Sequence, residues 1–105
     1  LIVMPANIIT QWANEIHDHT SNPKLSCLKW RAGDRLQGKS GTALLQKYDV
    51  VLTSYDQLVA EWDAANPSEG GPLFRVSWVR LALDECHNIR NRESKRSQAV
   101  CDLQA

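Results

Sequence analysis

The residues with the most chemistry within reach are Asp84-Glu85-Cys86-His87, which follow the largely apolar run Trp78–Leu83. An acidic pair at the tip of a buried strand can do two jobs. The first carboxylate can hold Mg²⁺, usually through water, where the β- and γ-phosphates of a nucleotide sit. The second can orient and deprotonate an attacking water, and general-base help of that kind is worth ~10² to 10⁴ in rate. A histidine beside them can sense the phosphate site and pass its state to a neighbouring lobe. Two solvated carboxylates at a loop start, with a capping or core histidine, would give the same letters. A second stretch, Gly33-Asp34-Arg35-Leu36-Gln37-Gly38-Lys39-Ser40, matches G-x-x-x-x-G-K-[ST] literally. In a true phosphate loop the backbone N–H groups cradle phosphates, the lysine neutralises them and the serine binds Mg²⁺.

Such groups need strands to aim them. Leu1–Met4 is a continuous apolar run ending at Pro5, as a buried parallel strand would be. Ile8, Ile9, Trp12, Ala13 and Ile16 then fall on one helical stripe, which Asn22-Pro23 closes with a turn. Leu25–Trp30 reads as a second strand, Ala32–Thr42 as loop and Ala43–Tyr48 as a short helix. Asp49–Thr53 is a strand rich in β-branched residues. Leu58, Val59 and Trp62 mark a helix after it, and Asn66–Pro72 is a surface loop. Trp78–Leu83 is the last strand, and a final helix starts near Ser94. Strand and helix in alternation predict a parallel α/β sheet with helices on both faces. Ligands of such sheets gather at the carboxyl ends of the strands. Pro5, Thr53-Ser54-Tyr55 and Asp84-Glu85 all lie just past strand ends, so they are expected to share one edge.

Composition excludes several classes. At 105 residues there is room for one domain, and 43% hydrophobic residues exclude a disordered tail. No apolar run approaches the ~18 residues of a membrane span. Cys27, Cys86 and Cys101 are far apart and form no C-x-x-C, which argues against a disulfide scaffold or zinc finger and fits a reducing compartment. Cys27 and Cys101 are expected to be small buried groups. His17 and His19 face different sides of a helix and are not expected to share a metal. The net charge of zero carries no nucleic-acid signal, but it conceals a division. Residues 24–47 are strongly basic and residues 49–69 carry five acids and no base. That is either an ordinary solvated surface or a basic edge facing an anionic partner.

Three boxes carry a family resemblance. Asp84-Glu85-Cys86-His87-Asn88-Ile89-Arg90-Asn91 has the D-E-x-H of helicase motif II and resembles the D-E-x-H-x-I-K-N box of SNF2-type ATPases. Leu1-Ile2-Val3-Met4-Pro5, with Gln11-Trp12 and Glu15-Ile16, is similar to motif Ia of that family. Tyr48–Tyr55 is similar to its Y-D-V-V-L-T-T-Y segment. Arg90-Asn91-Arg92 and Ala99-Val100-Cys101 most resemble the branch holding Rad5/Rad16, the helicase-like transcription factors and the lodestar-type termination factors.

The resemblance implies a RecA-like first lobe of the P-loop NTPase type, spanning motif Ia to just after motif II across residues 1–105. It also implies ATP-driven translocation on double-stranded DNA in chromatin remodelling, repair or transcription termination, in the nucleus. ATP and Mg²⁺ are the implied cofactors. A second RecA-like lobe, and chromatin or repair proteins, are the implied partners. By position, Asp84 and Glu85 would be the Mg²⁺ and water residues, with His87 beside them. Pro5, Gln11, Trp12, Thr53, Ser54 and Tyr55 would lie near the DNA track, although Trp12 also fits a core role and Tyr55 a packing one. Cys86 stands where Gly or Ala is common, and Arg90 replaces the usual Lys. The family's phosphate loop precedes motif Ia, so the strand and loop of motif I are expected to lie outside these residues. The 105 residues alone are expected to be inactive, as an internal piece of a longer chain. On this reading Gly33–Ser40 is a variable loop. A small P-loop NTPase using Gly33–Ser40, or a catalytically dead remnant serving as a binding module, are the alternatives.

Overall fold

The computed structural model describes residues 1–19, 25–31, 38–84 and 94–104, with residues 38–40 described by their backbone. Four strands form one parallel sheet: β1 (Ile2–Met4), β2 (Cys27–Trp30), β3 (Val50–Ser54) and β4 (Ala82–Leu83), in the order β2-β3-β1-β4. Helices α1 (Ile9–His19), α2 (Gly38–Gln46), α3 (Tyr55–Glu61) and α4 (Lys95–Cys101) alternate with them. A parallel sheet needs cover on both faces, and the two-residue period of the strands supplies it. Met4 and Leu52 point to one face, where Ile9, Trp12, Ala13 and Ile16 of α1 pack on them. Val3, Trp30 and Val51 point to the other, under Leu45 of α2, Leu58 of α3 and Ala99 of α4. Each buried aliphatic or aromatic side chain of this kind contributes about 1.5–3 kcal/mol.

Capping residues place the helix starts. Ser54 accepts from the Gln57 N–H at 2.9 Å and opens α3; Ser94 accepts from the Ser97 N–H at 3.1 Å and opens α4. The four tryptophans all find acceptors for their indole N–H, as buried indoles must. Trp12 donates to Asp84, Trp30 to Glu61, Trp62 to Asp102 and Trp78 to the Leu73 carbonyl.

Three expectations change. The helix before β3 begins at Gly38, so Gly38–Thr42 is helical rather than loop. The final strand is confined to Ala82–Leu83. Its ladder forms only where β1 can answer it, with Ala82 N–H on the Leu1 carbonyl and Asp84 N–H on the Val3 carbonyl. Earlier residues of that run are used elsewhere: the Trp78 N–H donates to the Gln104 carbonyl, and Val79 is 95% exposed. Cys101 is exposed rather than buried, and Cys27 is half-buried. The turn at Asn22-Pro23 lies outside the described residues.

The acidic stretch is not a uniformly solvated face either. Glu61 is only 7% exposed, and Asp49 is spent on register. Its carboxylate accepts from the Ser26 N–H at 2.9 Å and the Ser26 hydroxyl at 3.0 Å, while its own N–H donates back to that hydroxyl at 2.8 Å. This pins the start of β2 against β3. The Ser26 donors hold the Asp49 carboxyl below its ordinary value. A depressed folded pKa gives stability that is present above the unfolded value, about 3.9, and lost as pH falls through the folded one. Asp49→Asn is therefore expected to flatten the loss of stability below about pH 4, read from denaturation midpoints across that range. Parallel profiles for the two proteins would show that this carboxylate adds no acid sensitivity.

Candidate functional site

The register brings the strand ends together as expected. Val3 lies opposite Thr53 and Leu83, and Met4 opposite Ser54, so Pro5, Tyr55 and Asp84 leave one edge of the sheet side by side. β1 is the central strand of this edge, which is why groups from three separate segments converge on its end.

Asp84 is held from three directions. Its N–H donates to the Val3 carbonyl at 2.8 Å, continuing the β1–β4 ladder. Its carbonyl accepts from the Tyr55 hydroxyl at 2.8 Å. Its carboxylate Oδ2 accepts from Trp12 Nε1 at 2.9 Å. Tyr55 is in turn fixed: its ring is 1% exposed, and the Arg96 guanidinium lies 5.9 Å from the ring centroid while pairing with Asp56 at 2.7 Å. The half-buried Asp84 carboxylate is a hard oxygen donor that, among the described residues, accepts from a neutral N–H. That chemistry suits Mg²⁺, which prefers one or two carboxylates and keeps several waters.

The remaining expected site residues divide. Glu85, Cys86 and His87 lie outside the described residues, as do Asn88–Arg92. Gln11 is exposed on α1, and Pro5 is half-buried at the end of β1. Trp12 has its ring against the Met4–Ile9–Leu52 cluster and its only polar atom on Asp84, so it faces inward. Thr53 is fully buried with its hydroxyl on the Trp30 carbonyl at 2.9 Å. Ser54 is spent capping α3, and the Tyr55 hydroxyl is spent on Asp84. The hydroxyls of Thr53, Ser54 and Tyr55, expected near a DNA track, each make a bond inside the lobe. The ends of β1 and β3 are central in the sheet, and their polar atoms are needed to close the backbone around them.

The G-x-x-x-x-G-K-S stretch is placed by topology. Residues 33–37 lie outside the described residues, but the stretch follows β2 and runs into α2. β2 and β4 are opposite edges of the sheet with β3 and β1 between them, about 14 Å apart at ordinary strand spacing. The end of β2 is thus not adjacent to the Asp84 end of β4. Two surface concavities, about 500 and 380 Å³, are lined by Ser26, Cys27 and Tyr48 and by Leu1, Asp49 and Arg80. These residues sit at the amino ends of the strands, away from Asp84. Asp84 lies instead at the carboxyl edge, where ligands of such sheets bind.

Sequence reasoning missed Glu61, a buried carboxylate that is densely bonded among the described residues. Its carboxylate accepts from Trp30 Nε1 at 2.7 Å, Gln57 Nε2 at 2.6 Å and the Leu73 N–H at 3.0 Å. Its carbonyl accepts from the Gly71 N–H at 2.8 Å. A Cβ on Gly71 would fall 2.5 Å from the Glu61 side chain, so Gly70-Gly71 is where the chain must pass close. The available signal was arithmetic: buried indoles need acceptors, and acids are the strongest on offer.

The family model described as the SNF2-related domain matches residues 1–105. The chain is 36% identical over 98% of its length to transcription termination factor 2 of Drosophila melanogaster, covering 9% of that protein. It is 38% identical over 98% of its length to the DNA repair protein RAD5 of Mycosarcoma maydis, covering 8%. It is 33% identical over its whole length to the human helicase-like transcription factor, covering 10%. The chain thus spans about a tenth of the length of these relatives. Among solved structures, a Sulfolobus solfataricus SWI2/SNF2 ATPase core in complex with double-stranded DNA matches with a TM-score of 0.72 at 24% identity, over 98% of this chain and 18% of that one. That likeness shows the fold, a RecA-like α/β lobe.

Proposed function

We propose that this chain, which belongs to the SNF2-related domain family, is part of the first motor lobe of an ATP-dependent translocase on double-stranded DNA. Its segment runs from motif Ia to just after motif II. The observation that carries the reading is Asp84: a carboxylate at the carboxyl end of the sheet, fixed through its N–H, carbonyl and side chain, and followed in sequence by Glu85 and His87. Asp84 would hold Mg²⁺ through water. The ion, when bound, neutralises charge on the β- and γ-phosphates of ATP. Glu85 would orient and deprotonate the attacking water, and His87 would report the state of the site to the second lobe. Of the residues expected near the DNA track, exposed Gln11 carries an amide that would donate to a phosphate, and Pro5, which has no N–H, would only pack beside the backbone, contacts that carry no sequence information. Relatives named for DNA repair, transcription termination and helicase-like transcription factors support a nuclear protein acting on chromatin or during repair.

The test is ATP hydrolysis by the full-length protein with and without duplex DNA. Turnover is expected to rise when duplex is added; turnover indifferent to DNA would overturn the proposal. The same assay addresses Gly33–Ser40. Because β2 and β4 are opposite edges of the sheet, Lys39→Ala is expected to leave ATP affinity within about twofold, less than 0.5 kcal/mol. Loss of ATP binding in that variant would move the nucleotide site to the β2 edge and restore the small P-loop NTPase.

A further inference from the structure

We infer that Trp12 is a positioning residue for the metal site: its indole N–H fixes the rotamer in which Asp84 presents its carboxylate. The inference rests on the proposed metal role of Asp84 and adds the group that sets it. Three observations carry it. The Asp84 main chain is already fixed by the Val3 carbonyl and the Tyr55 hydroxyl, so the remaining freedom is in its side-chain torsions. Trp12 Nε1 meets Oδ2 at 2.9 Å across 72 residues of sequence and closes that freedom. Trp12 is itself held, since its ring packs against Met4, Ile9 and Leu52 on a helix whose Ile9 is fully buried.

The chemistry of the donor matters as much as its place. An indole N–H is a donor only, so it can hold a carboxylate but cannot compete with it for a cation. It is also uncharged. A lysine or arginine in the same position would neutralise Asp84 and lower its affinity for a metal, whereas the indole orients it and leaves the negative charge in place. Carboxylates that bind metals are commonly held by such outer hydrogen bonds, and loss of one typically lowers metal affinity 10–100-fold. α1 thereby becomes part of the metal site although none of its residues would touch the ion. A purely structural indole–carboxylate bond would make no such demand on Mg²⁺.

The experiment measures binding of a fluorescent ADP to the full-length protein across a Mg²⁺ titration, for the unsubstituted chain, Trp12→Phe and Asp84→Asn. Phe keeps an aromatic ring on the Met4–Ile9–Leu52 cluster and removes the N–H. Trp12→Phe is expected to raise the Mg²⁺ midpoint 10–100-fold and to leave ADP affinity in EDTA unchanged. A midpoint that moves in Asp84→Asn and stays put in Trp12→Phe would sink this inference alone. If Mg²⁺ dependence is the same in all three proteins, the metal role of Asp84 falls and this inference falls with it. A second measurement stands if Trp12→Phe does not fold: 5-fluorotryptophan placed at position 12 alone should shift its ¹⁹F line on addition of Mg²⁺ to the ADP complex. A line unmoved at saturating Mg²⁺ would overturn the inference.

Discussion

Glu85→Gln in the full-length protein is expected to bind Mg²⁺·ATP much as the unsubstituted protein does while turning over ~10² to 10⁴ more slowly. The amide keeps the shape and an acceptor oxygen but cannot take a proton from water. Asp84→Asn is expected to fail earlier, at binding, because it removes the charge that would hold the ion. The structure makes that second substitution a clean one. The Asp84 N–H and carbonyl keep their bonds to Val3 and Tyr55, and an amide oxygen can still accept from Trp12. A loss of Mg²⁺-nucleotide affinity in Asp84→Asn would then report the metal and not a collapsed strand end. The measurement is nucleotide titration beside single-turnover hydrolysis for both variants. Equal nucleotide affinities in the two would remove the division of labour between the carboxylates.

What the sequence made legible was what periodicity and punctuation encode. Leu1–Met4 and Asp49–Thr53 read as buried strands because the first is an apolar run stopped by Pro5 and the second is rich in β-branched residues, and both formed within a residue of expectation. Once those strands are parallel, their ends must share an edge, so the convergence of Pro5, Tyr55 and Asp84 followed from topology alone. The misread segments are those where a tertiary bond outweighs the local pattern. Trp78–Leu81 is apolar enough for a strand, but the Trp78 N–H is taken by Gln104 and its indole by the Leu73 carbonyl. Thr53, Ser54 and Tyr55 carry hydroxyls that a sequence cannot distinguish from free donors. Their partners, the Trp30 carbonyl, the Gln57 N–H and the Asp84 carbonyl, are mostly remote in sequence. Polar pairing at long range has no period, so although buried indoles call for acceptors, nothing in the sequence says that Trp12 finds Asp84 and Trp30 finds Glu61.

Glu61→Ala is expected to destabilise the lobe by about 3 kcal/mol or more, a large share of the ~5–15 kcal/mol that holds a domain of this size together. The reasoning is a count of orphaned donors. Truncation strands the Trp30 indole N–H, the Gln57 amide and the Leu73 N–H, each in a buried setting, at about 1–3 kcal/mol apiece. It also opens a void under Gly71, whose backbone passes close because the carboxylate is there. Glu61→Gln is expected to fall between, because one carboxylate oxygen accepts two donors and the other accepts one. The amide oxygen can satisfy the pair, but its NH₂, itself a donor, must then face the Leu73 N–H, which strands that N–H at about 1–3 kcal/mol while the other two donors keep their acceptor. Urea denaturation followed by tryptophan fluorescence checks the order, with Trp30 reporting from beside the substituted side chain. The order unsubstituted, Gln, Ala is required if hydrogen bonding is the cause. A Gln variant as unstable as the Ala variant would point to the negative charge itself, and an Ala variant within 1 kcal/mol of the unsubstituted protein would show that water replaces the carboxylate at little cost.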